Sequence, residues 1–149
     1  LWRSVKDGYP PAAHLYARHY SAYHYKDNRR ASFNYPNRYL ICGPGEKLVL
    51  MTAADDAIFA WRKFKDDSGQ VGVNCAIFRN ESPYLSSLLI TQACTIAWKR
   101  WPNERLYTYV NPFAISSPNP GYCFKVAGWQ TCGITKVNKL LILEKLPTL

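Results

Sequence analysis

The residues best able to do chemistry gather in one stretch, Asn111–Gly133, which reads N-P-F-A-I-S-S-P-N-P-G-Y-C-F-K-V-A-G-W-Q-T-C-G. Asn111 and Asn119 carry amides that can orient a substrate, and the Tyr122 phenol can donate a proton to a leaving group. Cys123 is a nucleophile only with a base beside it, and no histidine follows His24 in the chain, so it reads as a buried hydrophobe. Three prolines, three glycines and four aromatics are too much backbone punctuation for a plain helix and too many rings for a solvated linker. The pattern predicts a structured loop, a short helix over Tyr122–Ala127 and a tight exit at Gly128 into the last strand. Loops built this way carry function more often than they merely connect.

Other chemistry-bearing residues are more scattered. His14, His19 and His24 are five apart, so they do not share a helical face as a metal pair four apart would, and they read as lining an aromatic-rich surface. Ser86 and Ser87 open a helical pattern. A helix N-terminus has free N–H groups and a positive dipole end that suit a phosphate, although serines there also serve simply as caps. Over Lys26–Arg38, cations alternate with Phe33 and Tyr35, and Tyr39 follows directly; this suits a nucleic-acid groove or, equally, a solvated loop. The chain contains no G-x-S-x-G, H-E-x-x-H, P-loop or G-x-G-x-x-G motif.

Composition bounds these readings. The 149 residues fit one domain, and 48% apolar residues with 15% aromatics exclude a mostly disordered chain. Five cysteines, an odd count without C-x-x-C, argue against a disulfide scaffold or zinc site; Cys75 and Cys94 lie in apolar runs and read as core. Lys and Arg exceed Asp and Glu by 19 to 10, a net charge of +9. That favours a polyanion such as nucleic acid, an anionic coenzyme, or only a diffuse positive field. No run reaches the roughly 18 apolar residues of a membrane span, and no signal segment opens the chain, so a cytoplasmic protein without membrane contact is expected.

The elements that must position these residues follow from periodicity. Residues Leu1–Pro11 read as an extended arm and Ala12 to about Tyr20 as a short helix. Strands are expected at Tyr39–Cys42, Lys47–Thr52, Ala57–Phe64, Val71–Phe78, Leu106–Val110 and Leu140–Leu146. Apolar residues from Leu89 to Trp101 recur at helical spacing, capped by Ser86 or Ser87 and stopped by Pro102. The order predicts an α+β fold: a mixed, mostly antiparallel sheet with a central βαβ crossover and flanking helices.

This frame, with Asn119, F-K-V-A-G-W over Phe124–Trp129 and the Val71–Phe78 strand before the serine-capped helix, resembles the GNAT superfamily of acyl-CoA-dependent acyltransferases. More narrowly, His19-Tyr20-Ser21, Y-V-N-P over Tyr109–Pro112 and G-Y-C-F-K-V-A-G-W resemble the phage Mom-like DNA-modification branch. The resemblance implies a GNAT-like sheet that splays beside Val73–Phe78, with acetyl-CoA or another acyl-CoA along Asn74, Cys75, Ala76, Ile77 and Phe78 and against Ser86 and Ser87. It implies Asn111, Asn119 and Tyr122 on the acceptor side, His19 as the base, and DNA as partner. The chain departs from the broad family in two places. The pyrophosphate signature is absent from Arg79–Ser87, as it is in the Mom-like branch, and Phe124 stands where the acidic tyrosine is usual. The alternatives are an acetyltransferase acting on a small amine or protein, and a DNA-binding module without chemistry.

Overall fold

Runs rich in β-branched and aromatic residues dominate the chain, and in the structure they join edge to edge. A computed structural model describes residues 1–19, 39–65, 69–114 and 119–148. In chain order the elements are β1 (Trp2–Val5), α1 (Pro10–Ala17), β2 (Glu46–Thr52), β3 (Ala57–Lys63), β4 (Val73–Asn80), α2 (Ser86–Arg100), β5 (Leu106–Val110), α3 (Tyr122–Val126), β6 (Gln130–Ile134) and β7 (Leu141–Lys145). Among the described residues the strands form one open seven-stranded sheet, ordered β1-β2-β3-β4-β5-β7-β6. Every neighbouring pair is antiparallel except β4 and β5, which α2 links as a crossover. The fold is mixed α+β.

Helices cover both faces. α2 buries Leu89, Ile90, Ala93, Cys94 and Ala97, a stripe at helical spacing, the last four against Phe59, Trp61, Val73 and Cys75. α1 buries Ala12 and Leu15 on the other face against Val49, Met51, Ile58, Ala60 and Ile77. With eight residues α1 is too short to hold alone. Pro10 and Pro11 preset its first turn, and Leu15, only 1% exposed, contributes roughly 1.5–3 kcal/mol on burial.

The centre of the sheet carries an irregularity. Cys75 lies opposite Trp61 and Ile77 opposite Ala60, so Ala76 is an extra residue in β4, a β-bulge. Side chains alternate faces with period two, so one inserted residue reverses the parity beyond it. Val73 and Cys75 face α2; past the bulge Phe78 joins that face and Ile77 packs under α1. The ladder between β4 and β5 covers only Val73–Cys75 with Leu106–Thr108, and beyond it the strands part. Their near ends are pinned where Val73 N–H donates to the Arg105 carbonyl (2.8 Å). Gly72 permits that approach: it sits at φ +127, and a Cβ there would lie 2.1 Å from the same carbonyl oxygen.

Several expectations are corrected. Residues Leu1–Pro11 are not an arm: Trp2–Val5 is an edge strand, too short for its alternation to show, held by the Trp2 indole donating to the Leu89 carbonyl (2.8 Å) and by the Arg3–Asp55 ion pair. Tyr39–Cys42 is not a strand, because the Ile41 and Cys42 N–H groups donate to the Asp7 carboxylate (2.8 and 3.1 Å) rather than to a neighbouring strand. The first helix begins at Pro10 rather than Ala12 and ends at Ala17, and β4 is Val73–Asn80 because positive-φ Gly72 delays its start. Gly128 leads into β6, not the last strand; β7 then folds back between β5 and β6. Residues 20–38, which hold Tyr20, Ser21, His24 and the basic and aromatic stretch Lys26–Arg38, lie outside the described residues.

Replacing Gly72 with alanine combines a left-handed backbone with a main-chain clash, so Gly72→Ala is expected to lower unfolding free energy by about 2–3 kcal/mol in chemical denaturation.

Candidate functional site

The parted ends of β4 and β5 enclose a cavity of about 840 Å³, within the roughly 300–1,000 Å³ range of small-molecule sites. One wall is β4 across its bulge, Asn74 to Phe78. The other is the end of β5 with the following loop, from Thr108 to Asn111 and Phe113. Asn119 and Gly121–Phe124 close one end, Asn138 and Leu140 border another, and His19 enters from beyond α1. The walls come from both sheet faces: Cys75, Phe78 and Phe124 belong to the α2 side, Ile77 to the α1 side. No Lys, Arg, Asp or Glu is among these described lining residues.

The cavity thus brings together His19, Asn74, Cys75, Ala76, Ile77, Phe78, Asn111, Asn119 and Tyr122. Ser86 and Ser87 are not among its lining residues, and neither caps α2 by its side chain. The cap position belongs to Leu85, while Ser86 Oγ accepts a hydrogen bond from Asn80 Nδ2 (2.9 Å) and the Ser87 carbonyl accepts one from Thr91 (2.8 Å). The expectation that these serines cap the helix is therefore corrected.

Loop geometry explains how the amides arrive. Asn111 Oδ1 accepts the Phe113 N–H (3.0 Å), turning the chain directly after β5. Asn119 Oδ1 accepts from Lys125 Nζ (2.7 Å), and its carbonyl receives the Tyr122 N–H (3.1 Å), which sets the entry to α3. Gly121 has φ +77 and packs so closely that a Cβ would fall 2.5 Å from Leu143 Cδ1. Phe124 is buried edge-on to Phe78 (5.9 Å) and Trp129 (5.0 Å), a packing role in place of a phenol. Tyr122 remains 62% exposed at the opening, so its hydroxyl is reachable. Asn74 Oδ1 is buried with no hydrogen-bond partner among the described residues, an acceptor on the cavity wall that a ligand N–H would satisfy.

Burial and a neighbouring cation set the charge state of the histidine and thiols on the cavity wall. Burial, then the charge of Arg79, push the His19 imidazole down to about 4, so it is neutral at pH 7. Burial raises the Cys75 and Cys123 thiols, and neither is a thiolate nucleophile at neutral pH. His19 follows Arg18, whose guanidinium grips Glu81 with two bonds (2.7 and 2.9 Å). Arg79 also donates to Glu81 (2.6 Å) and to the Arg18 carbonyl (2.9 Å). Hydrogen bonds from Arg18 and then Arg79 hold the Glu81 carboxyl down to about 2. This three-residue clamp ties the end of α1 to the end of β4, and its members are too far apart in sequence to be recognised as a unit there.

No protein-family model, curated protein or solved structure matches the chain. Among the described residues no group of three His, Cys, Asp or Glu side chains could hold a metal, and no helix is long and apolar enough to cross a membrane.

The His19 shift has a signed consequence. Its folded value lies below the ordinary 6.5, so the unfolded chain binds the extra proton and stability falls as pH drops from about 6.5 towards 4. Glu81 acts in a lower window, stability falling from about 4.5 towards 2. Denaturation curves of His19→Gln are expected to lose the slope above pH 4.5 and keep the one below it.

Proposed function

We propose that the chain is an acyltransferase of the GNAT kind, carrying an acyl group from an acyl-CoA thioester to an amine on a nucleobase or a base-linked group in DNA. The observation that carries this reading is the cavity through the parted β4 and β5, with walls from both sheet faces. A transfer between two substrates needs two approaches meeting at one point, and a gap through a sheet provides them on a rigid frame. The uncharged space would accommodate an acyl–pantetheine arm, whose amides can donate to Asn74 Oδ1. The donor's phosphates would stay outside the uncharged lining. The net charge of +9 favours a polyanionic acceptor.

The donor supplies an activated carbonyl; the chain supplies position and proton transfer. Main-chain N–H groups of β4 beyond the ladder steady the carbonyl oxygen as negative charge develops. Asn111 and Asn119 orient the acceptor. An exocyclic base amine is neutral before attack, so it sheds a proton only as the C–N bond forms, and neutral His19 accepts it. As the C–S bond breaks, Tyr122 protonates the departing sulfur.

Calorimetry with acetyl-CoA and nucleoside mass spectrometry of DNA incubated with chain and donor test this reading. Heat of donor binding and a heavier nucleoside are expected. An unchanged nucleoside profile beside acetylated polyamines would move the acceptor to small amines, and no donor binding at all would sink the transferase. Ala76→Trp, which fills the gap from an exposed bulge, is expected to weaken donor binding more than about tenfold with thermal stability preserved. Tyr122→Phe is expected to lower kcat about a hundredfold with donor affinity unchanged.

A further inference from the structure

The β6–β7 hairpin ends in a four-residue tip, Lys136-Val137-Asn138-Lys139. It is closed by the Thr135 N–H donating to the Leu140 carbonyl (2.8 Å) and the Leu140 N–H donating to Thr135 Oγ1 (2.9 Å). All four tip residues are exposed. Val137, 88% exposed, is the most exposed large hydrophobic side chain among the described residues. Among those residues neither Lys136 nor Lys139 makes an ion pair. Lys139 sits at φ +54, a left-handed conformation that glycine or asparagine adopts at less cost, so the turn alone gives no reason for lysine. Asn138 and Leu140 line the cavity, which puts this tip at its mouth.

Charge is thus sorted in space: cations outside, amides and rings inside. A duplex sorts its groups the same way once a base is turned out, with phosphates at the periphery and an uncharged heterocycle to be enclosed. An apolar side chain between two cations suits entry into a base stack, because the cations meet the flanking phosphates while the apolar group fills the space the base leaves. We propose that the β6–β7 tip is a duplex wedge: Lys136 and Lys139 grip phosphates while Val137 enters the stack beside the extruded base. This rests on the DNA reading above. A membrane surface would also attract cations, but a single valine buries little apolar area there and leaves the neutral cavity beside it without a role.

The full chain is titrated with a duplex containing 2-aminopurine, whose fluorescence rises on unstacking, and with the matching single strand. The unmodified chain is expected to bind the duplex and raise the signal. Val137→Ala is expected to cut that rise several-fold, changing duplex affinity less than about threefold and single-strand binding not at all. Lys136→Ala with Lys139→Ala is expected to weaken duplex binding about ten- to a hundredfold and reduce the slope of log affinity against log salt by about 2. A full fluorescence rise in Val137→Ala with binding intact overturns the wedge and leaves the DNA reading standing. An unchanged salt slope overturns the phosphate grip. No binding of the unmodified chain to either nucleic acid overturns both readings, and so does selective binding to phosphatidylserine vesicles.

Discussion

One inserted residue in the central strand governs much of this molecule. Ala76 makes β4 one residue longer than its partner β3, and the reversed parity turns Phe78 towards α2 and α3. Without that reversal Phe78 would lie under α1, and Phe124 would lose one of its two edge-on neighbours. α3 has only five residues and cannot persist on its own hydrogen bonds. It is held because Phe124 and Trp129 join an aromatic cluster with Phe59, Trp61 and Phe78. The bulge therefore opens the sheet and also anchors the helix that borders the opening.

The other side of the opening depends on charge. His19 lies beyond a short helix whose end would otherwise fray, and the Arg18–Glu81–Arg79 clamp fastens that end to the strand lining the cavity. Each pair is too exposed to contribute much alone, yet the bidentate geometry gives direction as well as attraction. Arg79 has a second effect: the same cation that places His19 also disfavours its protonation.

Much of this could be read in the sequence, where pattern is long or punctuation strong. The α2 stripe, the β2–β3 hairpin, the parallel crossover and the loop after β5 all announced themselves through periodicity, turn residues or composition. The bulge did not, because V-N-C-A-I-F is apolar on both parities and hides the phase change. β1 was too short to alternate, and β6, T-C-G at its centre and exposed at every position but Gly133, lacks an apolar face to betray it. Ser86 and Ser87 looked like caps because serine so often is one, but Leu85 took the position and Asn80 reached Ser86 first. Of the cavity residues, Asn74–Phe78 came from the family resemblance and Asn111, Asn119 and Tyr122 from the composition of the loop after β5; Asn138 and Leu140 arrive through topology that no local pattern encodes.

The five cysteines divide unevenly between interior and surface. Cys75 and Cys94 are buried and Cys42 and Cys123 partly so, all four with thiols raised by burial, Cys94 to about 11 and Cys42 to about 12. Cys132 alone is exposed, on the edge strand that leads into the lysine-bearing hairpin. The molecule thus carries a natural attachment point: a maleimide reporter would couple there first, one strand from the cavity, without any engineered cysteine.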